Sequence, residues 1–338
     1  MAASPTPRPR PAPSAEQRLN ERLQAALAPW DAVAGPLAVA CSGGADSVAL
    51  LLAAHRRWPG KVAAVHVNHG LQAAAADFEQ LVTATSATLG VPLHIRRVVA
   101  AHASGDSPED AARQARYRAL ADIAQTHDLS HVLLAQHADD QAETVLLALS
   151  RGAGVSGLAG MPLEMVRHGV HFVRPWLTQR STDLRAWLTA QGQAWCDDPS
   201  NQDTRYTRNR LRHTVLPALD TPFPGFVACV ARSAAHCAQA DSLLDELAQI
   251  DLLQTGSPPA IVALQALSDA RLANALRHWL RTEAGRAPST AQLHELMAQI
   301  RDCRTRGHRI AIKVGEGQVL REGIRLAYLG PVRQGLER

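Results

Sequence analysis

Four short apolar runs near the start of the chain alternate with helical patterns, and this alternation constrains the fold more than any other feature. The runs are Pro36–Ala40, Val62–Val67, Pro92–Val98 and His131–Gln136. Apolar runs of this length, separated by helices of about 12–20 residues, are typical of β-α-β units in which the strands form a buried parallel sheet. We therefore predict an α/β fold with a parallel sheet.

The pattern changes after residue 220. Three helical segments come first, and residues 308–329 then alternate like short strands. The helical segments are 226–250, 268–283 and 289–301. The expected strand turns carry Gly315, Gly317 and Gly323. This predicts a second, smaller α+β domain, with boundaries at 1–14 for a disordered Pro- and Arg-rich tail, 15–220 for the first domain and 221–338 for the second.

Cysteine usage and hydropathy exclude several classes of protein. The five cysteines form no C-x-x-C pair, which argues against a disulfide scaffold, a zinc knuckle or an iron–sulfur cluster and favours a reducing, cytoplasmic location. No apolar run approaches the 18 or so residues of a membrane span. The net charge of +4 comes mostly from arginine, which suits an anionic partner, although a biased genomic composition would give the same balance.

The segment Cys41–Ser47, with the sequence CSGGADS, follows a predicted strand and opens a predicted helix at Ser47–His55. Unpaired N–H groups at such a helix start, together with the helix dipole, favour a phosphate. No G-x-x-x-x-G-K-[ST] motif occurs, so this is not an ordinary P-loop. Asp46 would repel phosphate, and its presence indicates a bound Mg²⁺ or a cationic group. The alternative is a strand-to-helix turn with an aspartate cap.

A second motif, His137–Thr144 with the sequence HADDQAET, ends the fourth predicted strand. On a helix, Asp140 and Glu143 share one face, as do Asp139 and Glu143. Ligands bind at the carboxyl ends of the strands in open α/β sheets. We therefore expect these acids to hold a metal or an amino group, the alternative being a solvated acidic helix start.

Three further blocks have weaker signals when taken alone. His69 lies in the segment HVNHGL after the second strand, where a buried structural histidine is the plain alternative. Arg113 and Arg116 share a helical face, as a salt-bridged surface pair would. Residues 204–212 hold Arg205 and three more arginines without an acid, which suits RNA contact or a solvated basic helix.

Over residues 35–215 these blocks, in this order, resemble the tRNA(Ile)-lysidine synthetases of the N-type ATP pyrophosphatase (PP-loop) superfamily. The Ser-Gly-Gly-x-Asp-Ser loop is shared by the whole superfamily, whereas H-x-x-D-D-Q-x-E-T followed by Arg151-Gly152 is similar to the lysidine enzymes. The resemblance implies ATP-dependent ligation of free L-lysine to C2 of the wobble cytidine of the CAU anticodon of tRNA(Ile). It also implies an adenylated tRNA intermediate, the release of AMP and pyrophosphate, and the use of Mg²⁺.

The resemblance also implies roles for individual residues. Those expected to be catalytic are Asp46, Asp140, Glu143 and Arg205. Those expected to bind ATP are Ser42, Gly43, Gly44, Ala45, Asp46, Ser47, His69, Arg113, Arg116 and His137. Those expected to bind metal are Asp46 and Asp139. The first domain would then be catalytic and the second would bind tRNA.

Two alternatives and one departure stay open. A tRNA thiolase of the same superfamily is the second candidate, although its cluster-dependent type needs paired cysteines. A non-catalytic tRNA-binding protein is the third, and the intact loop with its acids argues against it. Longer family members carry a further C-terminal domain, and we expect this sequence to end too early for it. We therefore expect tRNA recognition to differ and to use the basic stretch 301–325.

Overall fold

The computed structural model describes residues 14–68, 75–98, 108–305 and 307–330. The chain divides into two compact units, residues 1–236 and 237–338. His69, Ser107, Arg306 and residues 1–13 of the predicted tail lie outside the described residues, whereas Ser14 caps the first helix.

The first unit is built on a six-stranded sheet whose order is β3-β2-β1-β4-β6-β5. The strands are β1 Leu37–Ala40, β2 Val62–Asn68, β3 Leu93–Arg97, β4 His131–Leu133, β5 Glu164–Arg167 and β6 Val170–Val173. All neighbours are parallel except β5 and β6, which form an antiparallel hairpin at one edge. The parallel α/β fold predicted from the four apolar runs is confirmed.

Helices cover both faces of this sheet because successive strand residues point to opposite sides. The helices of this unit include α1 Ala15–Leu27, α2 Ala45–Arg57, α3 Ala75–Leu89, α4 Pro108–Thr126, α5 Ala138–Leu149, α6 Val155–Leu158, α7 Ser181–Ala190, α8 Thr207–Arg210 and α9 Leu216–Asp220. Leu37 and Val39 pack with α1, α2, α3 and α7, whereas Ala38 packs with Tyr117 and Leu120 of α4. The sheet is therefore the middle layer of three.

Local signals set several helix starts. Ser14 and Gln17 form a reciprocal capping box at α1, with Ser14 Oγ accepting from Gln17 N at 3.1 Å. The helix predicted after Ser107 begins at Pro108, whose missing N–H costs nothing in the first turn. At α5 the cap is His137, a residue that the usual N-cap preferences would not select.

The second unit is a smaller α+β structure, as predicted. Its elements are the end of α10 Phe226–Thr255, then α11 Ile261–Gln265, α12 Asp269–Ala284, α13 Thr290–Asp302, β7 Ala311–Val314, β8 Gly317–Glu322 and β9 Arg325–Leu329. The three strands form an antiparallel meander. Leu276, Trp279 and Leu296 bury their side chains in its core.

One glycine prediction is corrected. Gly315 and Gly323 lie in turns with φ of +62° and +60°, but Gly317 is the first residue of β8. A Cβ atom at Gly317 would collide with the Tyr328 ring and the Leu329 carbonyl oxygen. This glycine is therefore required by close packing against β9 rather than by turn geometry.

No helix in the described parts of the chain is both long and apolar enough to cross a membrane.

Candidate active site

The loop between β1 and α2 has the geometry of an anion site. Gly44 caps α2 in an extended conformation, so the N–H groups of the first helical turn point out of the helix end. The Ser47 hydroxyl accepts a hydrogen bond from the Ser42 N–H at 3.1 Å and donates one to the Gly44 carbonyl oxygen at 2.9 Å. The Ser42 and Ser47 hydroxyls lie 3.1 Å apart. These contacts hold the loop open in a fixed shape.

The two glycines of this loop have different roles. Gly43 has a φ of +93°, and a Cβ atom there would lie 3.0 Å from Phe78 Cδ1 and 3.2 Å from the Phe78 carbonyl oxygen. At Gly44 a Cβ atom would meet nothing closer than Ser42 Oγ at 3.6 Å. A glycine is thus required at position 43 by its positive φ and by the closeness of Phe78 on α3, whereas the space beside Gly44 is open.

Two further contacts, from His66 and the Cys196 backbone, support the loop. His66 Nδ1 lies 2.8 Å from the Cys41 carbonyl oxygen, and the Cys196 N–H donates to the Gly43 carbonyl at 3.0 Å. Burial raises the pKa of the Cys41 thiol to about 11, so this cysteine stays protonated. His66 was quoted in the sequence only as a neighbour of His69, and its support of the loop became visible through the pairing of β1 with β2.

The loop lies where the sheet reverses its direction of growth. From β1 the chain adds β2 and β3 on one side, and then crosses to add β4 on the other. Parallel strands place their carboxyl ends at one edge of the sheet, so the loop after β1 and the segment after β4 adjoin at the topological switch point. This is the expected ligand crevice of an open α/β sheet.

His137 is the central cation of the acidic motif. Its Nε2 lies 3.5 Å from Asp46 and 3.4 Å from Asp140, and its Nδ1 lies 3.5 Å from Asp139. Burial opposes its charge, but the charge of Asp140 and hydrogen bonds to Asp139 and Asp46 outweigh burial and raise the pKa of His137 to about 10. In this protonated ring both nitrogens are donors, so the Asp140 N–H near Nδ1, at 3.4 Å, is a contact rather than a hydrogen bond.

Asp46 and Asp139 are both connected to the start of α7. Asp139 accepts from Arg180 Nε at 3.1 Å and from the Ser181 N–H at 2.9 Å, one bond to each oxygen. Burial opposes its charge, but these donors and His137 lower the pKa of Asp139 to about 2. Asp46 accepts from the Ser181 hydroxyl at 3.2 Å, and its pKa is also lowered against burial by His137 and Ser181. Both groups are therefore carboxylates at neutral pH.

Asp140 and Glu143 share a second cation, Arg212. Its Nη2 donates to Asp140 Oδ1 at 2.9 Å and its Nε donates to Glu143 Oε1 at 2.7 Å. The Glu143 side chain is 1% exposed, and within the described residues its Oε2 accepts no hydrogen bond. Arg208 Nη1 lies 3.9 Å from that oxygen. Burial raises the pKa of Glu143, and Arg212 offsets only part of that rise.

A change in helical geometry positions Arg212. Between α8 and α9 the chain forms a π-helical turn at Leu211–Val215, a form that occurs mostly at functional sites. Sequence reasoning treated Arg212 as one of several arginines that touch phosphates. No local pattern indicates its contact with the acids, because Asp140 lies 72 residues earlier in the chain.

Three other predicted site residues, Arg205, Arg113 and Arg116, are exposed. The Arg205 side chain is 88% exposed and pairs with Asp203, with Nη2 to Oδ2 at 2.7 Å. Arg113 and Arg116 are exposed on α4, and Arg113 lies over the Tyr117 ring at 5.9 Å. Their predicted roles, like that of His69, stay predictions.

Comparison with known proteins agrees with this geometry. Residues 15–219 match the PP-loop domain family, and residues 260–327 match the TilS substrate binding domain. A tRNA(Ile)-lysidine synthase of Polaromonas naphthalenivorans is 57% identical over 293 residues, which cover 87% of this chain and 89% of that protein. The chain belongs to the tRNA(Ile)-lysidine synthase family.

Relatives in this family have two lengths. The tRNA(Ile)-lysidine synthase of Bordetella pertussis is 43% identical, with 85% of this chain and 92% of that protein covered. For the Burkholderia pseudomallei relative, at 45% identity, the match covers 80% of this chain but 56% of that protein. The longer relatives anticipated from the sequence therefore occur beside relatives that this chain spans almost completely.

Among solved structures, the U34-tRNA thiolase NcsA from Methanococcus maripaludis has a TM-score of 0.57 at 13% identity, covering 65% of this chain and 77% of that one. At this identity the likeness shows the fold alone. The thiolase alternative is not favoured, because residues 260–327 match the TilS substrate binding domain and the relatives described above are lysidine synthases. All five cysteines of this chain are free.

Proposed function

We propose that this protein joins lysine to C2 of the wobble cytidine in the CAU anticodon of tRNA(Ile). In the first step the cytidine O2 attacks the α-phosphorus of ATP and displaces pyrophosphate. In the second step the lysine ε-amine attacks C2, and AMP leaves with the former O2. The observation that carries this proposal is the near full-length likeness to lysidine synthases combined with the phosphate loop at the switch point.

We assign the pyrophosphate to the loop. The N–H groups of the first turn of α2 and the hydroxyls of Ser42 and Ser47 are donors in an open space beside Gly44. Such donors stabilise the charge that develops on the leaving group.

The acids near the loop differ in how well they suit Mg²⁺. Asp139 accepts from three donors, which are Arg180, the Ser181 N–H and His137, whereas Asp46 accepts from two, the Ser181 hydroxyl and His137, and so keeps more lone pairs for a metal. We therefore favour Asp46 over Asp139 as the Mg²⁺ ligand of the pair. The ion would neutralise phosphate charge, and Asp46 would fix its position.

We assign the substrate lysine to Asp140 and Glu143. A free ε-amine with a pKa of about 10.4 is neutral in only about one molecule in 2,500 at neutral pH, so a proton must be removed at a cost of about 4–5 kcal/mol. Glu143 is suited to accept it, because burial raises its pKa and its Oε2 accepts no hydrogen bond from the described residues. Arg212 holds both acids in place and balances their charge until the cationic substrate arrives.

We assign tRNA contact to exposed basic residues of both units. In the second unit, Arg301 and Arg321 donate to backbone carbonyls of their own domain, so they act as structural ties. Arg304, Arg309 and Lys313 are exposed. In the first unit, the exposure of Arg205 suits contact with an incoming nucleotide.

We further propose residues 15–220 as the catalytic domain and 221–338 as the tRNA-binding domain, acting in the cytoplasm on free L-lysine. The spans of the two family matches support this division.

Mass spectrometry of nucleosides tests the proposal. A tRNA(Ile) transcript with a CAU anticodon is incubated with the protein, ATP and lysine, and lysidine is expected with one AMP released per modified tRNA. A transcript with uridine at the wobble position is the matched control. A thiolated nucleoside, or AMP release without lysine incorporation, would contradict the proposal.

A further inference from the structure

A cluster of two histidines and a glutamate lies at the hairpin edge of the main sheet, away from the switch point. His131 is the first residue of β4, His171 lies on β6 and Glu164 begins β5. His131 and His171 are register partners, and Val166 pairs with His171 on the other side. Because side chains alternate along a strand, Glu164 shares the face of Val166 and therefore that of both histidines.

The ligand atoms of the cluster converge. One ring nitrogen from each histidine and one carboxylate oxygen lie within 4.8 Å of one another, and within the described residues this is the sole group of three or more potential metal ligands with that spacing. The two imidazole rings have centroids 4.8 Å apart. His171 Nδ1 and Glu164 Oε1 are 2.7 Å apart, with side-chain exposures of 46% and 43%.

One atom of the cluster is left without a partner. His131 Nδ1 is buried and makes no hydrogen bond with the described residues. A buried nitrogen in this state loses solvation without a replacement, which is unfavourable. A neutral imidazole with an unpartnered ring nitrogen can offer that nitrogen's lone pair to a metal.

We propose that His131, Glu164 and His171 bind a divalent transition metal, with Zn²⁺ as the best fit. Two imidazoles and one carboxylate form the donor set of open zinc sites, in which water takes the fourth position. The hard Mg²⁺ expected at the phosphate loop prefers oxygen ligands and would not compete well here.

The coordination requires a small closure. Zinc bonds of 2.0–2.1 Å place tetrahedral ligand atoms about 3.3 Å apart, so the present spread must shrink by roughly 1.5 Å. Rotation of the exposed Glu164 and His171 side chains supplies this movement without displacing the strands. Their mutual hydrogen bond is exchanged for bonds to the metal.

The metal would tie the edge hairpin to the centre of the sheet. β5 is an edge strand held through β6 alone, and β6 pairs with β4 over three register positions. A metal shared by all three strands would cross-link them, and it would stabilise the fold because it binds the folded state and not the unfolded chain. We therefore expect Zn²⁺ to raise the melting temperature without being required for lysidine formation.

Metal titration of the full-length protein tests this site. The protein is stripped with a chelator, dialysed, and titrated with Zn²⁺ against a chromophoric competitor and separately with Co²⁺. We expect one tight Zn²⁺ equivalent, a tetrahedral Co²⁺ visible spectrum without thiolate charge-transfer bands, and a higher melting temperature. Zn²⁺ binding absent at 100 µM would overturn the proposal.

Variants locate the binding. Glu164→Gln and His171→Gln change exposed side chains and should each weaken Zn²⁺ at least about tenfold, since even groups that only orient ligands are worth 10–100-fold. His294→Gln, an exposed histidine on α13, is the matched control and should bind as the parent does. Affinity unchanged in both cluster variants, or cobalt–thiolate bands, would assign the metal to another place and refute the site.

Discussion

The two glycines of the phosphate loop permit a test in which folding and ligand binding separate. Gly43→Ala and Gly44→Ala each add one methyl group at adjacent positions. At Gly43 the methyl group meets strained backbone and the Phe78 side chain, whereas at Gly44 it enters open space. We therefore expect the first change to destabilise the protein and the second to impair use of ATP.

The magnitudes follow from the geometry. A non-glycine residue at the φ of +93° of Gly43 costs about 1–2 kcal/mol, and overpacking against Phe78 adds about 1–3 kcal/mol. At 2–4 °C per kcal/mol for a unit of this size, the melting temperature should fall by roughly 4–20 °C. Gly44 has a φ of −76° and caps α2, where alanine costs about 1 kcal/mol.

The ATP KM should change more in Gly44→Ala than in Gly43→Ala, the reverse of the order expected for stability. If the methyl group at Gly44 displaces one charge-assisted hydrogen bond to phosphate, about 1.5–3 kcal/mol is lost, and the ATP KM should rise roughly 10- to 150-fold. Thermal unfolding followed by circular dichroism gives the stability, and AMP release at saturating tRNA and lysine gives the KM. The lysine KM serves as the internal control and should stay within about twofold of the parent value.

Two results would refute this reasoning. A Gly44→Ala protein with the parent ATP KM would mean that phosphate does not approach this backbone. A Gly43→Ala protein as stable as the parent would mean that the loop relaxes freely, so its shape would not be held by the contacts described for Ser47 and Cys196.

Four further predictions concern charge. Glu143→Gln should raise the lysine KM more than the ATP KM in steady-state assays, because the lost charge partner is worth about 2–5 kcal/mol of lysine binding free energy. Equal changes in the two KM values would remove Glu143 from the lysine site. Arg212→Ala should destabilise folding by about 2 kcal/mol, less than the roughly 3–5 kcal/mol of a fully buried pair because the arginine is partly exposed, and by more at high pH, where Glu143 is ionised. In denaturant unfolding, the double variant with Glu143→Gln should recover most of the lost stability. The pKa of His137 is raised to about 10, so protonated His137 stabilises the folded state fully below pH 6.5, and this stabilisation is lost as pH rises towards 10. The free energy of unfolding should fall by at most about 1.4 kcal/mol per pH unit in this range. His137→Gln should flatten this dependence of unfolding free energy on pH. Arg304→Ala with Arg309→Ala should weaken tRNA binding and flatten the slope of log affinity against log salt by about 1.5, and an unchanged slope would exclude this surface.

The strands of the sheet could be predicted because buried strands are apolar runs that are visible in the local sequence. Runs such as Val62–Val67 are apolar on both faces, which happens when helices cover a parallel sheet on both sides. Predicted strand starts at Val62 and His131 agree with the structure, whereas the fourth strand, β4, was predicted three residues too long. Those residues, Leu134–Gln136, leave the sheet to lead into the cap of α5.

The hairpin of β5 and β6 was not predicted, although a signal exists. His168 and Gly169 both have positive φ and form a two-residue connection between alternating segments, the turn type that hairpins prefer. His-Gly is not among the residue pairs that mark such turns most strongly, which are Asn-Gly, Asp-Gly and Gly-Gly, so composition alone gave no indication of the turn. The metal proposal depends on this hairpin, because Glu164 and His171 meet only through it.

The site could be predicted as a set of residues but not as a distribution of charge. The loop and the motif His137–Thr144 are local, so their positions at strand ends follow from the order of elements. Besides His137, which belongs to the motif, the cations that balance the acids are Arg180 and Arg212, in segments that no local pattern connects with the motif.

These cations divide the crevice into two halves of opposite character. On one side, helix N–H groups and hydroxyls form a place for the phosphates of ATP. On the other, Asp140 and Glu143 face Arg212, at the position that we propose for the ammonium group of the substrate. Asp46 and His137 lie between the halves and are charged at neutral pH. An anionic nucleotide and a cationic amino acid can thus be held side by side, because fixed charges of the protein keep each out of the other's place.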